Sequence, residues 1–166
     1  MSETPPPTCL DGRGSAENPN MDELVWDNAW ETGVQKIDLQ HQEMFSHVER
    51  LFRAVRRNEP AEGVLRLLVF LVTYVEAHFR DEEAEMEVSG YPGLLEHRAT
   101  HDDLRNQVSA LVLQFRKDPT VLVESISGFF VDWLVSHINT EDRRMAAHLI
   151  QWYSACLENV LPDQCP

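Results

Sequence analysis

A chain of 166 residues with 28 acidic against 14 basic side chains carries a net charge of −14. That length suits one domain with a real core, and the charge argues against nucleic acid and anionic membrane surfaces as partners. No stretch approaches the ~18 consecutive apolar residues of a membrane span. The opening MSETPPPTCLDG has neither the basic nor the apolar region of a signal peptide, so a soluble, cytoplasmic protein is expected. Cys9, Cys156 and Cys165 are odd in number and sit near the two ends. They read as free thiols, with a Cys156 to Cys165 or intermolecular bond as the alternative.

Residues 1–24 are rich in Pro, Ser, Gly, Asn and acid, which predicts a disordered tail. Trp26 and Trp30 mark the start of order, an arm lying across the helices. Asp38 is the candidate N-cap of a first helix whose stripe runs Ile37, His41, Met44/Phe45, Val48, Leu51/Phe52 and Val55, stopping before Asn58-Glu59-Pro60. A second helix is predicted from about Ala61 to Glu87, ending at Gly90-Tyr91-Pro92-Gly93. In the third, Leu94, His97, His101, Leu104, Val108, Leu111 and Phe115 follow steps of three and four up to Asp118-Pro119. A fourth carries Val123, Ile126, Phe130, Trp133/Leu134 and His137. Beyond it Met145, Leu149, Trp152, Cys156 and Val160 predict a C-terminal helix folded back on the rest. The expected fold is all-α: an antiparallel up-down-up-down four-helix bundle over residues 25–150, with an N-terminal arm and a C-terminal extension, 151–166.

His78 and Glu82 lie four residues apart, on the apolar face led in by Val64, Leu67, Leu68, Leu71, Tyr74 and Val75. An inward imidazole and carboxylate must be satisfied, by a metal ion or as a hydrogen-bonded pair on a half-exposed face. Topology adds a second constraint. His41 opens the first helix, His78 and Glu82 close the second, His97 and His101 open the third, and His137 closes the fourth, so all reach the same level of the bundle. Neutral imidazoles each need a donor and an acceptor, so that many rings make a poor hydrogen-bonded core and a sensible ligand shell. Asp142 falls five residues after His137, about 140° around a regular helix. Both point inward only if the helix widens into a π-type turn or ends there.

Asp38-Leu39-Gln40-His41, His78-Phe79-Arg80-Asp81-Glu82-Glu83, His97-x-x-x-His101 and Trp133-Leu134-Val135-Ser136-His137-x-x-x-x-Asp142 resemble, in order and spacing, the hemerythrins, the single-domain bacterial members in particular. The likeness covers about Val25 to His148. It implies two iron ions in an oxo- or hydroxo-bridged centre: His97, His101 and His137 on one, His41 and His78 on the other, Glu82 and Asp142 bridging. One octahedral position stays open on the iron with two histidines, where the family binds dioxygen end-on. Phe79, Leu134 and Ile138 are the apolar residues expected around it. Three residues after the bridging Asp many relatives have a tyrosine, whereas this chain has Met145, which is expected to help close the same pocket.

His47 and His148 read as surface histidines, Trp133 as core packing, and the acidic run Asp81 to Glu85, apart from Glu82, as a solvated face. The resemblance implies a dioxygen carrier, for storage or delivery to an oxygen-accepting protein, and not an enzyme. The alternatives are a diiron redox enzyme acting on oxygen, peroxide or nitric oxide, or an oxygen or iron sensor. No Glu has a His three residues later, as the carboxylate-rich diiron oxidases do.

Overall fold

The computed structural model describes residues 26–121 and 131–159. The expected tail, Val123, Ile126, Phe130 and Val160, and the other two cysteines all lie outside those residues. Cys156 is disulfide-bonded, which corrects the reading of free thiols. Among the described residues there are helices and no strands, and no helix is long and apolar enough to cross a membrane.

Helix α1, Gln35–Arg56, starts one turn earlier than expected, and Asp38 is not its N-cap. The carboxylate instead turns back on the preceding loop, accepting from Thr32 N at 2.7 Å, Thr32 Oγ1 at 2.8 Å and Gly33 N at 3.1 Å. An acid in the first turn serves the helix dipole as well, so one side chain fixes both the loop and the helix start. The loop is the end of the arm. A 3-10 turn, Asn28–Trp30, stacks Trp30 on Phe45 at 4.7 Å and sets Trp26 edge-on to both. Arg143 holds it from the far side through the Ala29 carbonyl.

Asn58, at φ 51°, takes the left-handed conformation that ends α1. Helix α2, Ala61–Ser89, ends at Gly90, whose φ of 65° lets Tyr91 N bond back to Met86 O at 2.9 Å. Helix α3 runs Leu94–Lys117. Of helix α4, residues 131–137 are described; they lead into a π turn, Ile138–Asp142, and on into helix α5, Arg143–Asn159. The expected C-terminal helix is therefore present, and it packs against the end of α2: His148 Nε2 meets Ser89 O at 3.0 Å and Tyr153 Oη donates to Glu85 at 2.8 Å. His137 and Arg143 both keep right-handed helical angles, so α4 runs into α5 through the π turn with no loop between them. The side chains of Asn139 and Thr140 donate to Val135 O and Ser136 O across this widened stretch.

The apolar core is split in two. Met44, Phe45, Phe79, Leu104, Leu134 and Ile138 belong to the larger body, and Ile37, Met86, Met145 and Leu149 to a smaller one. Along α1 the order is Ile37, His41, Phe45; along α2 it is Phe79, Glu82, Met86; along α4 to α5, Leu134, Asp142, Met145. The buried polar residues thus form a layer between two apolar bodies.

Candidate metal centre

His41, Glu82, His97, His101 and Asp142 have no solvent exposure, and His78 and His137 have 2% and 6%. They come from α1, α2, α3, α4 and the π turn and form two adjoining sets: Glu82, His97, His101, His137 and Asp142; and His41, His78, Glu82 and Asp142. The two carboxylates belong to both, and each divides its oxygens between them. Glu82 Oε1 faces His78 Nε2 at 3.3 Å and His41 Nε2 at 3.9 Å, while Oε2 faces His101 at 3.3 Å and His97 at 3.6 Å. Asp142 Oδ2 lies 3.2 Å from His41 Nε2, and Oδ1 lies 3.0 Å from His137 and 3.3 Å from His97. The π turn achieves this, bringing a residue five after His137 onto the same inward face.

His101 Nε2 is 3.1 Å from the Nε2 atoms of both His97 and His137. About 3 Å is the separation of neighbouring ligands each ~2.1 Å from a shared ion. Two outer partners settle which nitrogen faces in. His101 Nδ1 meets Glu83 Oε1 at 3.1 Å; an ionised carboxylate only accepts, so Nδ1 carries the hydrogen and Nε2 turns a lone pair inward. His78 Nδ1 meets Gln40 Oε1 at 3.1 Å, and Gln40 Nε2 donates to Asp81 at 2.9 Å, which fixes the amide's orientation.

Gln40 and Glu83 were not singled out by sequence reasoning, and Glu83 was assigned to a solvated face. The correction has a plain cause: about 100° from Glu82 around α2, Glu83 looks toward α3, where His101, Arg98 and Arg105 converge on it. His47 and His148 are half-buried and belong to neither set; His47 packs on Phe70 and Tyr74, and His148 Nε2 meets Ser89 O. Trp133 stacks on His137 at 4.4 Å. Phe79 lies on the His101 ring, centroids 3.7 Å apart and planes 7° apart, and with Leu134 and Ile138 it walls one side of the centre. Met145 is not with them but in the smaller apolar body on the other side.

Without a metal the inward groups charge one another. Burial lowers the His78 imidazole to about 4. Burial also pulls His97 down, but Asp142 and Glu82 beside it outweigh that and carry it up to about 9; His41 is raised by the same acids. Burial pushes both carboxyls up, and the surrounding histidines hold Glu82 and Asp142 below the usual range. Metal-free protein should therefore be sensitive to pH. Its folded state holds a proton on His97 that the unfolded chain releases near 6.5, so its stability is expected to fall as pH rises from about 6.5 to about 9. Metal-loaded protein should lack this slope, since the ion replaces the proton; thermal melts of both forms across that range check it.

The donor set fits metal ions. His41 Nε2, both Glu82 oxygens and both Asp142 oxygens are buried with no hydrogen-bond partner, a costly arrangement unless something else satisfies them. Nitrogen with carboxylate oxygen suits first-row ions such as iron. A helical bundle with two histidine-rich sets sharing two carboxylates defines a class, the two-metal helical bundles.

Within that class the chain belongs to the hemerythrin family: the hemerythrin HHE cation binding domain matches residues 32–149. The chain is 31% identical over 122 residues to a bacteriohemerythrin of Pseudomonas aeruginosa, covering 74% of this chain and 78% of that one. To the bacteriohemerythrin of Clostridium acetobutylicum it is 26% identical over 124 residues, 72% of this chain and 96% of the relative. To hemerythrin subunit alpha of Lingula anatina it is 29% identical over 119 residues, 72% and 89%. No solved structure gives a significant match. A hemerythrin domain binds a diiron centre, and at the level of the family this is a diiron, oxygen-binding protein.

Proposed function

We propose that the protein binds dioxygen reversibly, for storage or for delivery to oxygen-requiring proteins, and that it does not turn substrate over. In this reading His97, His101 and His137 hold one iron, His41 and His78 the other, and Glu82 and Asp142 bridge. The observation that carries it is the division of each carboxylate's oxygens between the two histidine groups. When bound, the diiron centre supplies the two electrons that oxygen binding draws on. The set with two histidines has one protein ligand fewer, and that is where a small diatomic ligand finds room.

The chain's own contribution is orientation and dryness. Glu83 and Gln40 hold His101 and His78 in one tautomer. Phe79, Leu134 and Ile138, each 2% exposed or less, keep water and protons from the ligand side. Ile37, Met86, Met145 and Leu149 close the other side. A five-histidine shell carries little negative charge, which favours holding oxygen over activating it.

The test is a cycle. Iron-loaded protein is reduced without air, given oxygen, then purged. A visible band that rises with oxygen and falls on purging, over several rounds, is the expected result. Direct passage to the oxidised diferric spectrum with release of peroxide would overturn reversible binding.

A further inference from the structure

The two outward nitrogens that have partners do not have the same kind of partner. His101, from the set with three histidines, donates from Nδ1 to the carboxylate of Glu83 at 3.1 Å. His78, from the set with two, donates to the amide oxygen of Gln40, also at 3.1 Å. The lengths match and the charges differ.

Glu83 keeps its charge. Arg98 Nε and an Arg105 terminal nitrogen each donate to it at 3.0 Å, but both guanidiniums are shared with other acids. Arg98 also binds Glu87, and Arg105 binds Glu76 and Asp102. Four carboxylates therefore surround two arginines, and the cluster behind His101 stays net negative. Behind His78 the nearest charge is one amide further away. Asp81 accepts from Gln40 Nε2 and faces Lys36 Nζ at 3.6 Å.

A carboxylate on the outer N–H makes an imidazole more basic and a stronger electron donor to its metal, while a neutral amide orients the ring with less donation. We propose that Gln40 and Glu83 are positioning residues that hold the two irons at different reduction potentials. Glu83 makes the three-histidine iron the easier to oxidise. Gln40 keeps the two-histidine iron, where a ligand has room, the harder to oxidise without a ligand present. The proposal rests on the ligand assignment made above.

The test uses the full iron-loaded chain, first confirmed to hold about two irons, and follows its two one-electron steps by spectroelectrochemical titration. Three variants are compared: Glu83→Gln, Glu83→Asp, and Gln40→Glu combined with Asp81→Asn, so that the new carboxylate meets an amide. Glu83→Gln should raise one step by about 59 mV or more, a tenfold change in a one-electron equilibrium. Glu83→Asp should recover most of it. Gln40→Glu with Asp81→Asn should lower the other step by a similar amount.

Shifts of opposite sign on different steps support the proposal. Unchanged potentials in variants that keep their iron, or shifts of the same sign, overturn it and leave the ligand assignment standing. Loss of iron in both Glu83 variants, with no shift in the Gln40 pair, also overturns it by reducing Glu83 to a structural prop. Wild-type protein that never holds two irons overturns the assignment itself.

Discussion

Replacing Glu82 with alanine is expected to empty both iron positions and to destabilise the metal-free bundle by about 3–5 kcal/mol. One change reaches both positions because the two oxygens of Glu82 face different histidine groups and the side chain has no solvent exposure. With Glu82 gone, Asp142 is the one acid left in either set. His97 and His41, whose protonated forms both acids sustain in metal-free protein, then face a cavity. Glu82→Gln separates charge from volume: it fills the space, so it should regain part of the melting temperature while binding little iron. Iron per chain and urea unfolding of the metal-free forms provide the measurement. An alanine variant that retained about two irons, or melted like the parent, would sink the bridging role.

Much of this centre was legible because topology constrains it. Alternating steps of three and four place His97 and His101 on the inner face of α3, and the up-down order of helices brings ring-bearing ends together before any contact is known. The five-residue step from His137 to Asp142 was a sharper signal. It conflicts with a regular helix unless the turn widens, and Ile138–Asp142 is a π turn.

What could not be read was the outer layer. Glu83 belongs to an acidic run on α2, and nothing in that run tells which acid looks toward α3. Its role exists only once His101, Arg98 and Arg105 arrive across the helix seam. Gln40 is hidden for the same reason, since it reaches α2 from α1. Asp38 was recognised as a capping residue with the wrong client: a carboxylate one turn inside α1 satisfies the amides of Thr32 and Gly33 rather than those of the helix. Periodicity reports which face is buried, not which neighbour a polar group will meet.

Phe79→Ala tests whether that apolar wall serves oxygen binding or only packing. The ring lies flat on His101 and under the Arg105 guanidinium, 5.2 Å from its centroid, and it is 1% exposed. Truncation should cost about 3–5 kcal/mol of stability through the cavity it leaves. The second expected effect is kinetic. A water admitted beside the centre can donate a hydrogen bond to charge developing there, worth about 1.5–3 kcal/mol, which is about tenfold or more in the rate of passage to the diferric form. Phe79→Leu distinguishes the two effects, because leucine loses part of the packing but keeps the space apolar. If dryness is what matters, the leucine chain should melt lower than the parent yet oxidise in air at nearly the parental rate, while the alanine chain fails on both counts. Oxidation rates that simply track melting temperature across the three chains would show that Phe79 acts through stability alone, and the apolar wall would then have no separate part in keeping the bound oxygen.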